Sequence, residues 1–358
     1  MKVKHGGNIY EAAKKYGLKE GEILDYSANI NPFGIPNVLK ATIISNIDVI
    51  ENYPDPDYRD LIWSIAKYNN IDKDYVLPGN GATEIIFQII QALEPKRTLL
   101  LAPTFLEYER ALKRVGSDIK YHFLDESNYF KVDKKDFLKE LTHDIDFIIL
   151  CNPNNPTGQI VEREVLVEIL IECRTKGINL MIDEAFIEFL DDEGANSLID
   201  YLDDFPNLFI IRALTKFFAI PGLRLGYGLM SNGEIKEIIL SRKEPWTINC
   251  FASMSAEVLL KDNEYIRKSK EFFKIERAYM YEKLRGFKAL SVYRPQANYI
   301  FFRMIDKTIN LKEELINRKI LIRECDNYVN LDKSYFRVAI KDRESNEKLI
   351  GVLSEVFS

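Results

Sequence analysis

Four short runs of consecutive apolar residues constrain the fold of this chain more than any other feature of its sequence. Runs without polar alternation are typical of strands in a parallel sheet that helices cover on both faces. Between the runs lie longer stretches with a helical spacing of apolar residues, such as residues 85–93. This alternation predicts a mostly parallel α/β domain over residues 45–245, with strands at 98–102, 147–151, 180–182 and 208–211.

The chain has 358 residues, which is more than one ordinary core holds, so a second domain is expected. The pattern changes from about residue 246, where a long helix over 265–284 is followed by strand-like segments at 298–302 and 335–340. We predict a smaller α+β domain over 246–358. Residues 1–44 are predicted to form an N-terminal arm that joins the small domain.

Composition excludes several classes of protein. The formal net charge of −6 gives no basic surface for nucleic acid. The four cysteines form no CxxC pair and the three histidines no HxxxH pair, which argues against a metal site and fits a reducing cytoplasm. No apolar run approaches the ~18 residues of a membrane helix, and the N-terminus lacks the apolar core of a signal peptide. We therefore expect a cytoplasmic protein without metal, nucleic-acid or membrane partners.

Polar segments follow the predicted strands, at the edge where parallel sheets bind ligands. In residues 78–84, glycines let backbone amides approach an anion, and a helix is predicted to start near Ala82. Gly81, Ala82 and Thr83 are therefore candidate phosphate ligands, with an ordinary helix start as the alternative. Residues 152–158 contain two Asn-Pro steps, which predict projecting asparagine side chains, with a plain turn as the alternative.

Two further segments carry charged candidates. Asp183 follows a predicted strand, where its carboxylate can pair with a ligand cation or cap a helix. Lys216 precedes an apolar run, and burial would disfavour its charged form and make its amine a better nucleophile. Arg224, between two glycines, suits a bound phosphate, with a structural ion pair as the alternative.

A single ligand accounts for these segments together. It has a phosphate for the 81–83 loop and Arg224, a ring cation for Asp183, a ring oxygen for Asn155 and an aldehyde for the amine of Lys216. Pyridoxal phosphate (PLP) has all four, and its ring nitrogen needs a carboxylate partner. The alternative from another class is a nucleotide-binding α/β protein that uses the loop at 79–83. That loop lacks the third glycine of a dinucleotide fingerprint and a P-loop lysine.

The motifs GNGATE, CNPNNPTG, DEAF and LTKFFAIPGLRLGY, in this order, resemble the fold-type-I PLP enzymes of the class I/II aminotransferase superfamily over essentially the whole chain. The resemblance implies that Lys216 carries PLP covalently, that Asp183 binds the pyridinium nitrogen and that Asn155 binds the ring hydroxyl. The implied phosphate ligands are Ala82, Thr83, Thr215 and Arg224.

Three more positions take roles from the resemblance. Phe105 falls where the superfamily stacks an aromatic ring on the cofactor. Tyr53 falls where a tyrosine crosses from the partner subunit to the phosphate, which implies a homodimer with composite active sites. Arg337 falls where the substrate carboxylate is bound.

Two departures from the superfamily pattern affect the cofactor. Phe186 stands where a tyrosine often gives the ring oxygen a second hydroxyl, so Asn155 alone is expected to bind that oxygen. Ala213 stands where a serine or threonine usually binds the phosphate, and Thr215 is expected to take over that contact.

The ends of the chain narrow the resemblance. Residues 5–8, 25–32 and 321–325 resemble the threonine-phosphate decarboxylases of cobalamin biosynthesis, with the histidinol-phosphate aminotransferases of histidine biosynthesis as the nearest sibling family. Both families act on phosphorylated substrates, so the implied partner is a phosphorylated amino acid or amine. The resemblance suggests Arg323 and His5 for the substrate phosphate, with Asn29 and Ile30 beside the substrate.

Overall fold

The computed structural model describes residues 6–192 and 194–358. The first elements precede the central sheet in the chain. They are α1 (Ile9–Tyr16), β1 (Leu24–Asp25), α2 (Asn37–Ser45) and α3 (Arg59–Asn69). Helix α1 is capped by the Asn8 side chain, which accepts a hydrogen bond from the Glu11 amide.

A seven-stranded sheet follows. Its strands are β2 (Val76–Gly79), β3 (Arg97–Ala102), β4 (Asp118–Phe123), β5 (Phe147–Cys151), β6 (Asn179–Asp183), β7 (Leu208–Ala213) and β8 (Gly226–Leu229). Their order across the sheet is β2-β8-β7-β6-β5-β3-β4. Strand β8 runs antiparallel to both of its neighbours, and the other pairs are parallel. The four strands predicted from apolar runs are confirmed as β3, β5, β6 and β7.

Helices cover both faces of this sheet, as the apolar runs require. They are α4 (Ala82–Leu93), α5 (Leu106–Arg114), α6 (Lys134–Lys139), α7 (Arg163–Lys176), α8 (Leu214–Phe217) and α9 (Gly233–Arg242). Neighbouring residues of one strand enter different cores. Ile149 belongs to the core that contains Ile86 of α4, whereas Ile148 belongs to the core that contains Leu166 of α7.

The elements of the C-terminal part are α10 (Cys250–Leu259), α11 (Asn263–Arg285), β9 (Leu290–Val292), β10 (Tyr299–Met304), α12 (Leu311–Asn317), β11 (Ile320–Leu321), β12 (Arg323–Glu324), β13 (Tyr335–Ala339) and α13 (Arg343–Val356). Four of these strands form a second, antiparallel sheet in the order β12-β13-β10-β9. The long helix and the two strands predicted there are confirmed as α11, β10 and β13. None of the helices in the described ranges has the length and apolar character that a membrane crossing requires.

The N-terminal arm packs against this C-terminal part. Strand β1 pairs in parallel with β11, with Leu24 opposite Ile320. The next residue, Tyr26, donates its amide to the carbonyl of Leu321 (2.7 Å), and its carbonyl accepts from the amide of Ala339 (2.9 Å). These contacts support the proposed grouping of the arm with the small domain, although the division at residues 44 and 245 stays a prediction.

Candidate active site

A cavity of about 370 Å³ lies beyond the carboxyl ends of the parallel strands. We call it the reaction cavity. The residues that follow β3, β5, β6 and β7 reach it from the large sheet, and the arm and the small domain close its other side. The lining residues used below are Gly6, Ser27, Asn29, Ile30, Phe105, Asn155, Phe186, Lys216, Tyr328 and Arg337.

Lys216 lies in the short helix α8, directly after β7. Its backbone carbonyl accepts a hydrogen bond from the Asn31 amide (3.1 Å), which ties the helix to the arm. Its Nζ lies 5.7 Å from the ring centroid of Phe186. Burial lowers the pKa of Lys216, and the nearby Arg224 and Arg337 cations add to this effect, against the opposing charge of Asp183. The neutral, nucleophilic form of the amine is therefore more populated at neutral pH than it is in a solvated lysine.

Asp183 is the last residue of β6, and its carboxylate is buried. Its Oδ2 accepts a hydrogen bond from the Tyr108 hydroxyl (2.6 Å), and its Oδ1 accepts one from the Ala185 amide (2.9 Å). Burial raises the pKa of Asp183, although both hydrogen bonds and the charge of Lys216 act in the opposite direction. A buried carboxylate in this position is stabilised by any cation that binds against it.

We call the five predicted phosphate ligands, which come from three segments, the anion cradle: Gly81, Ala82, Thr83, Thr215 and Arg224. Helix α4 begins at Ala82, and no side chain caps its first turn, where Thr83 is the second residue. Within the described residues, the buried Thr215 hydroxyl has no hydrogen-bond partner, and Arg224 has no carboxylate partner. Uncapped amides, a hydroxyl and a guanidinium are the donors that a phosphate needs.

Two glycines allow the cradle to close. A Cβ at Gly81 would lie 2.5 Å from Nη2 of Arg224, and the φ of Gly81 is +84°. A Cβ at Gly226 would lie 2.3 Å from the amide nitrogen of Ala82. A side chain at Gly81 would therefore push Arg224 away, and one at Gly226 would push away the start of α4. Ala213, two residues before Thr215, pairs with Gly226 at the end of β7.

The asparagine segment does not project as a whole. Asn152 bonds the backbone of Val161, with its Oδ1 2.8 Å from the amide. Asn154 donates to the Pro103 carbonyl (3.0 Å). The expectation of projecting side chains is therefore wrong for these two, which secure the loop internally. Asn155 does line the reaction cavity, and its Oδ1 accepts from Nη1 of Arg337 (2.5 Å) and from the Tyr328 hydroxyl (3.3 Å).

Arg337 and Arg323 stand directly opposite each other on β13 and β12. Arg337 also donates from Nη2 to the backbone carbonyl of Ser27 (2.8 Å). Arg323 donates from Nη2 to Oδ1 of Asn327 (2.5 Å). Glu324, which could have paired with Arg323, instead pairs with Lys312 at 2.7 Å.

A second hollow of about 330 Å³ adjoins the reaction cavity, because Gly6 and Ser27 line both. Arg323, Asn8 and Lys312 also line this outer hollow. Of the residues predicted to bind the substrate, Asn29, Ile30, Asn155 and Arg337 line the reaction cavity itself. His5 lies outside the described residues.

The two predicted aromatic residues occupy different environments. Phe105 lines the reaction cavity, and its ring packs edge-on against Tyr108, with centroids 5.5 Å apart. Tyr53 is 80% exposed and packs on Trp246, with centroids 4.7 Å apart. Tyr53 is not among the residues that line the reaction cavity of its own chain.

Sequence reasoning missed Tyr108, Tyr328 and Ser27. Tyr108 follows Phe105 by one helical turn, so the spacing could have placed both on the same side of α5. Ser27 lies within the segment 25–32, which resembles the threonine-phosphate decarboxylases. It contacts Arg337 through its backbone carbonyl, and a backbone contact cannot be predicted from the residue type. Tyr328 lies in an irregular loop without any periodic pattern.

The family described as aminotransferase class I and II matches the chain over residues 14–353. The chain belongs to this family. Its members are PLP-dependent enzymes, so PLP is the cofactor, and the α/β architecture described above is the fold-type-I architecture of the family.

Individual relatives within the family carry two different names. The chain is 40% identical to a threonine-phosphate decarboxylase of Salmonella typhimurium, over 99% of this chain and 96% of that one. It is 31% identical to a histidinol-phosphate aminotransferase of Methanococcus aeolicus, over 99% and 95% of the two chains. The crystal structure of a histidinol-phosphate aminotransferase from Clostridium acetobutylicum superposes with a TM-score of 0.88, at 39% identity, over 93% and 99% of the two chains.

Proposed function

We propose that this enzyme decarboxylates a phosphorylated amino acid, with threonine phosphate as its substrate. The observation that carries the proposal is the pair of buried arginines, Arg323 and Arg337, opposite each other on adjacent strands. Guanidinium groups bind anions such as carboxylates and phosphates through charge-assisted hydrogen bonds. A substrate with both a carboxylate and a phosphate supplies two such anions.

The residues present fit PLP. The anion cradle offers the orphaned Thr215 hydroxyl and the uncapped start of α4 to its phosphate, and Gly81 leaves the space beside Arg224. Asp183 would hold the protonated ring nitrogen, Asn155 the ring oxygen and Lys216 the aldehyde carbon. Phe105 would lie against the ring. When bound, PLP supplies an electron sink for the bond that breaks at the substrate's Cα.

The protein's own residues decide which bond breaks. Only a bond perpendicular to the cofactor ring can pass its electrons into the ring, so the residue that fixes the carboxylate selects the reaction. Arg337 suits this role, because Asn155 and the Ser27 carbonyl hold its guanidinium from two sides at the cavity wall. After carbon dioxide has left, the protonated Lys216 amine can deliver the proton that replaces it at Cα, because its lowered pKa makes the ammonium form a stronger acid.

Arg323, which lines the outer hollow, would bind the substrate phosphate there. Guanidinium groups hold phosphates through paired hydrogen bonds, and Asn8 and Lys312 line the same hollow. The full-length similarity to the Salmonella threonine-phosphate decarboxylase supports this assignment.

A second candidate is transamination of histidinol phosphate. It is favoured by the 39% identity to the Clostridium acetobutylicum protein, whose structure carries that name. The fold accommodates either reaction, so the choice depends on how the substrate is held.

The experiment that tests the proposal compares both reactions on the purified holoenzyme. Carbon dioxide release from threonine phosphate is measured beside 2-oxoglutarate-dependent transamination of histidinol phosphate. We expect decarboxylation to have the higher kcat/KM. The reverse ranking would favour the second candidate and contradict the first.

We further propose a homodimer with composite active sites in the cytoplasm. The dimer is supported by an exposed apolar surface along residues 35–53, with Ile35, Val38, Ile44, Ile47, Ile50 and Tyr53. The cytoplasmic location is supported by four cysteines that are all free thiols.

A further inference from the structure

The oxygen of the Asn155 side-chain amide accepts the hydrogen bonds that hold this side chain in place. A guanidinium has five donors and no acceptor, so the atom of Asn155 that lies 2.5 Å from Nη1 of Arg337 must be Oδ1. The amide nitrogen, Nδ2, then faces away from Arg337. Within the described residues Nδ2 has no hydrogen-bond partner, and Asn155 lines the reaction cavity. Nδ2 is therefore the free donor for a ring oxygen of the cofactor.

Tyr328 is the second residue that holds this oxygen. Its hydroxyl donates to Oδ1 of Asn155 at 3.3 Å, and its side chain is buried. Burial raises the pKa of Tyr328, although the Arg337 and Arg323 cations act in the opposite direction. The hydroxyl therefore keeps its proton and acts as a donor. The guanidinium of Arg323 covers the tyrosine ring, 5.2 Å from its centroid, so the ring is fixed from behind.

We propose that Tyr328 is a positioning residue, which fixes the Asn155 amide so that Nδ2 donates to the ring oxygen of PLP. The inference rests on the proposed binding of PLP at Lys216 and is independent of the substrate. It matters in this chain because Phe186 has no hydroxyl to give that oxygen. The donor stabilises the ionised ring oxygen, which lowers the pH at which the bound cofactor loses its proton. Loss of the Tyr328 hydroxyl would therefore raise that pH.

The test is a pH titration of the visible absorbance of the PLP-loaded enzyme, which does not depend on turnover. Tyr328→Phe keeps the ring and removes the hydroxyl. We expect its midpoint to rise by roughly half a pH unit to one unit, the equivalent of one ordinary hydrogen bond. The matched control is Tyr335→Phe, because the Tyr335 hydroxyl donates to Glu126 (3.0 Å) and does not line the reaction cavity. The control midpoint should equal that of the wild type.

A double-mutant cycle with Asn155→Ala shows whether Tyr328 acts through Asn155. If it does, adding Tyr328→Phe to Asn155→Ala will move the midpoint no further. An unchanged midpoint in Tyr328→Phe, or an equal shift in both backgrounds, would overturn the proposal. If Tyr328→Phe does not fold, Tyr328→Leu, which also lacks a donor, should give the same shift. Absence of any PLP absorbance in the wild type would instead contradict the cofactor site.

Discussion

The Tyr108 hydroxyl donates a 2.6 Å hydrogen bond to Oδ2 of Asp183, and both residues are buried. Tyr108 is itself fully buried, and burial raises its pKa well above the ordinary tyrosine value. It therefore remains a neutral donor. Tyr108 thus holds the Asp183 carboxylate at a buried position that disfavours its negative charge, and a ligand cation bound beside it would stabilise that charge.

This arrangement predicts that Asp183 destabilises the cofactor-free protein at neutral pH. Burial raises the folded-state pKa of Asp183 above that of the unfolded chain, so the folded state binds the proton more tightly, and the stability falls as the pH rises through the folded-state pKa. Asp183→Asn removes the charge, and the Tyr108 hydroxyl can rotate to accept from the new amide. We expect the Tm of the cofactor-free variant to exceed that of the wild type by about 2 °C at pH 7.

Thermal unfolding between pH 4 and pH 8 measures this effect. The difference between the two proteins should shrink toward pH 4, and it should reverse when PLP is bound, because the carboxylate then has its cation. A difference that does not change with pH would contradict the prediction. The loaded Asp183→Asn enzyme should lose about 10²–10³-fold in kcat.

Lys216 is expected to carry PLP covalently. Borohydride reduction of the loaded enzyme, followed by peptide mass spectrometry, should find the modification on the peptide that contains Lys216. Lys243 is a useful internal comparison, since burial also lowers its pKa while its Nζ donates to the Pro78 carbonyl. Modification of Lys243 in place of Lys216 would show that low pKa alone, without the cavity, directs the reaction.

Arg323→Lys tests the phosphate contact. Lysine keeps the charge but not the paired hydrogen bonds, so KM for threonine phosphate should rise about 10–100-fold. Threonine itself never uses the contact, and its kinetic constants should change little. Equal losses for the two compounds would make Arg323 a structural residue.

Arg337→Ala separates the two candidate reactions. A decarboxylase needs the carboxylate to be oriented for the bond-breaking step, so kcat should fall by about 10²-fold or more. An aminotransferase acting on histidinol phosphate, which has no carboxylate, should lose mainly the half-reaction with the amino acid or keto acid. Single-turnover measurements of each half-reaction distinguish the two outcomes.

Tyr53 tests the proposed dimer. Mixed chains of Lys216→Ala and Tyr53→Phe should form hybrids with one intact site, and recover about a quarter of the wild-type activity above that of either parent. In a control mixture Tyr10→Phe, also at an exposed tyrosine, replaces Tyr53→Phe. Its total activity should stay at about half of the wild-type value, because mixing then neither creates nor removes an intact site. A monomeric mass by light scattering would contradict the composite site directly.

The sequence predicted the buried strands better than the strands at the edge and beside the cradle. Strands β5 and β7 are buried at every residue, so their runs are continuous. Strand β4 lies at the edge of the sheet with exposed ends, and β8 contains two glycines that the close packing of α4 requires, so neither has an apolar run. The same contrast holds in the site. Lys216 and Asp183 could be predicted from their positions after strands, whereas the Tyr328–Asn155 contact joins residues 173 apart and depends on how the small domain packs.

The anchoring of Arg337 on the carbonyl of Ser27 has a consequence for mutational tolerance. A side-chain acceptor at that point would be lost by a single substitution, but every amino acid brings a main-chain carbonyl. Replacing Ser27 would disturb the bonds of its own hydroxyl with Gly7 and Asp25, and leave the acceptor for Arg337 in place. Related sequences can therefore diverge at position 27 while the guanidinium keeps its orientation, and an alignment column there would understate how much the position contributes.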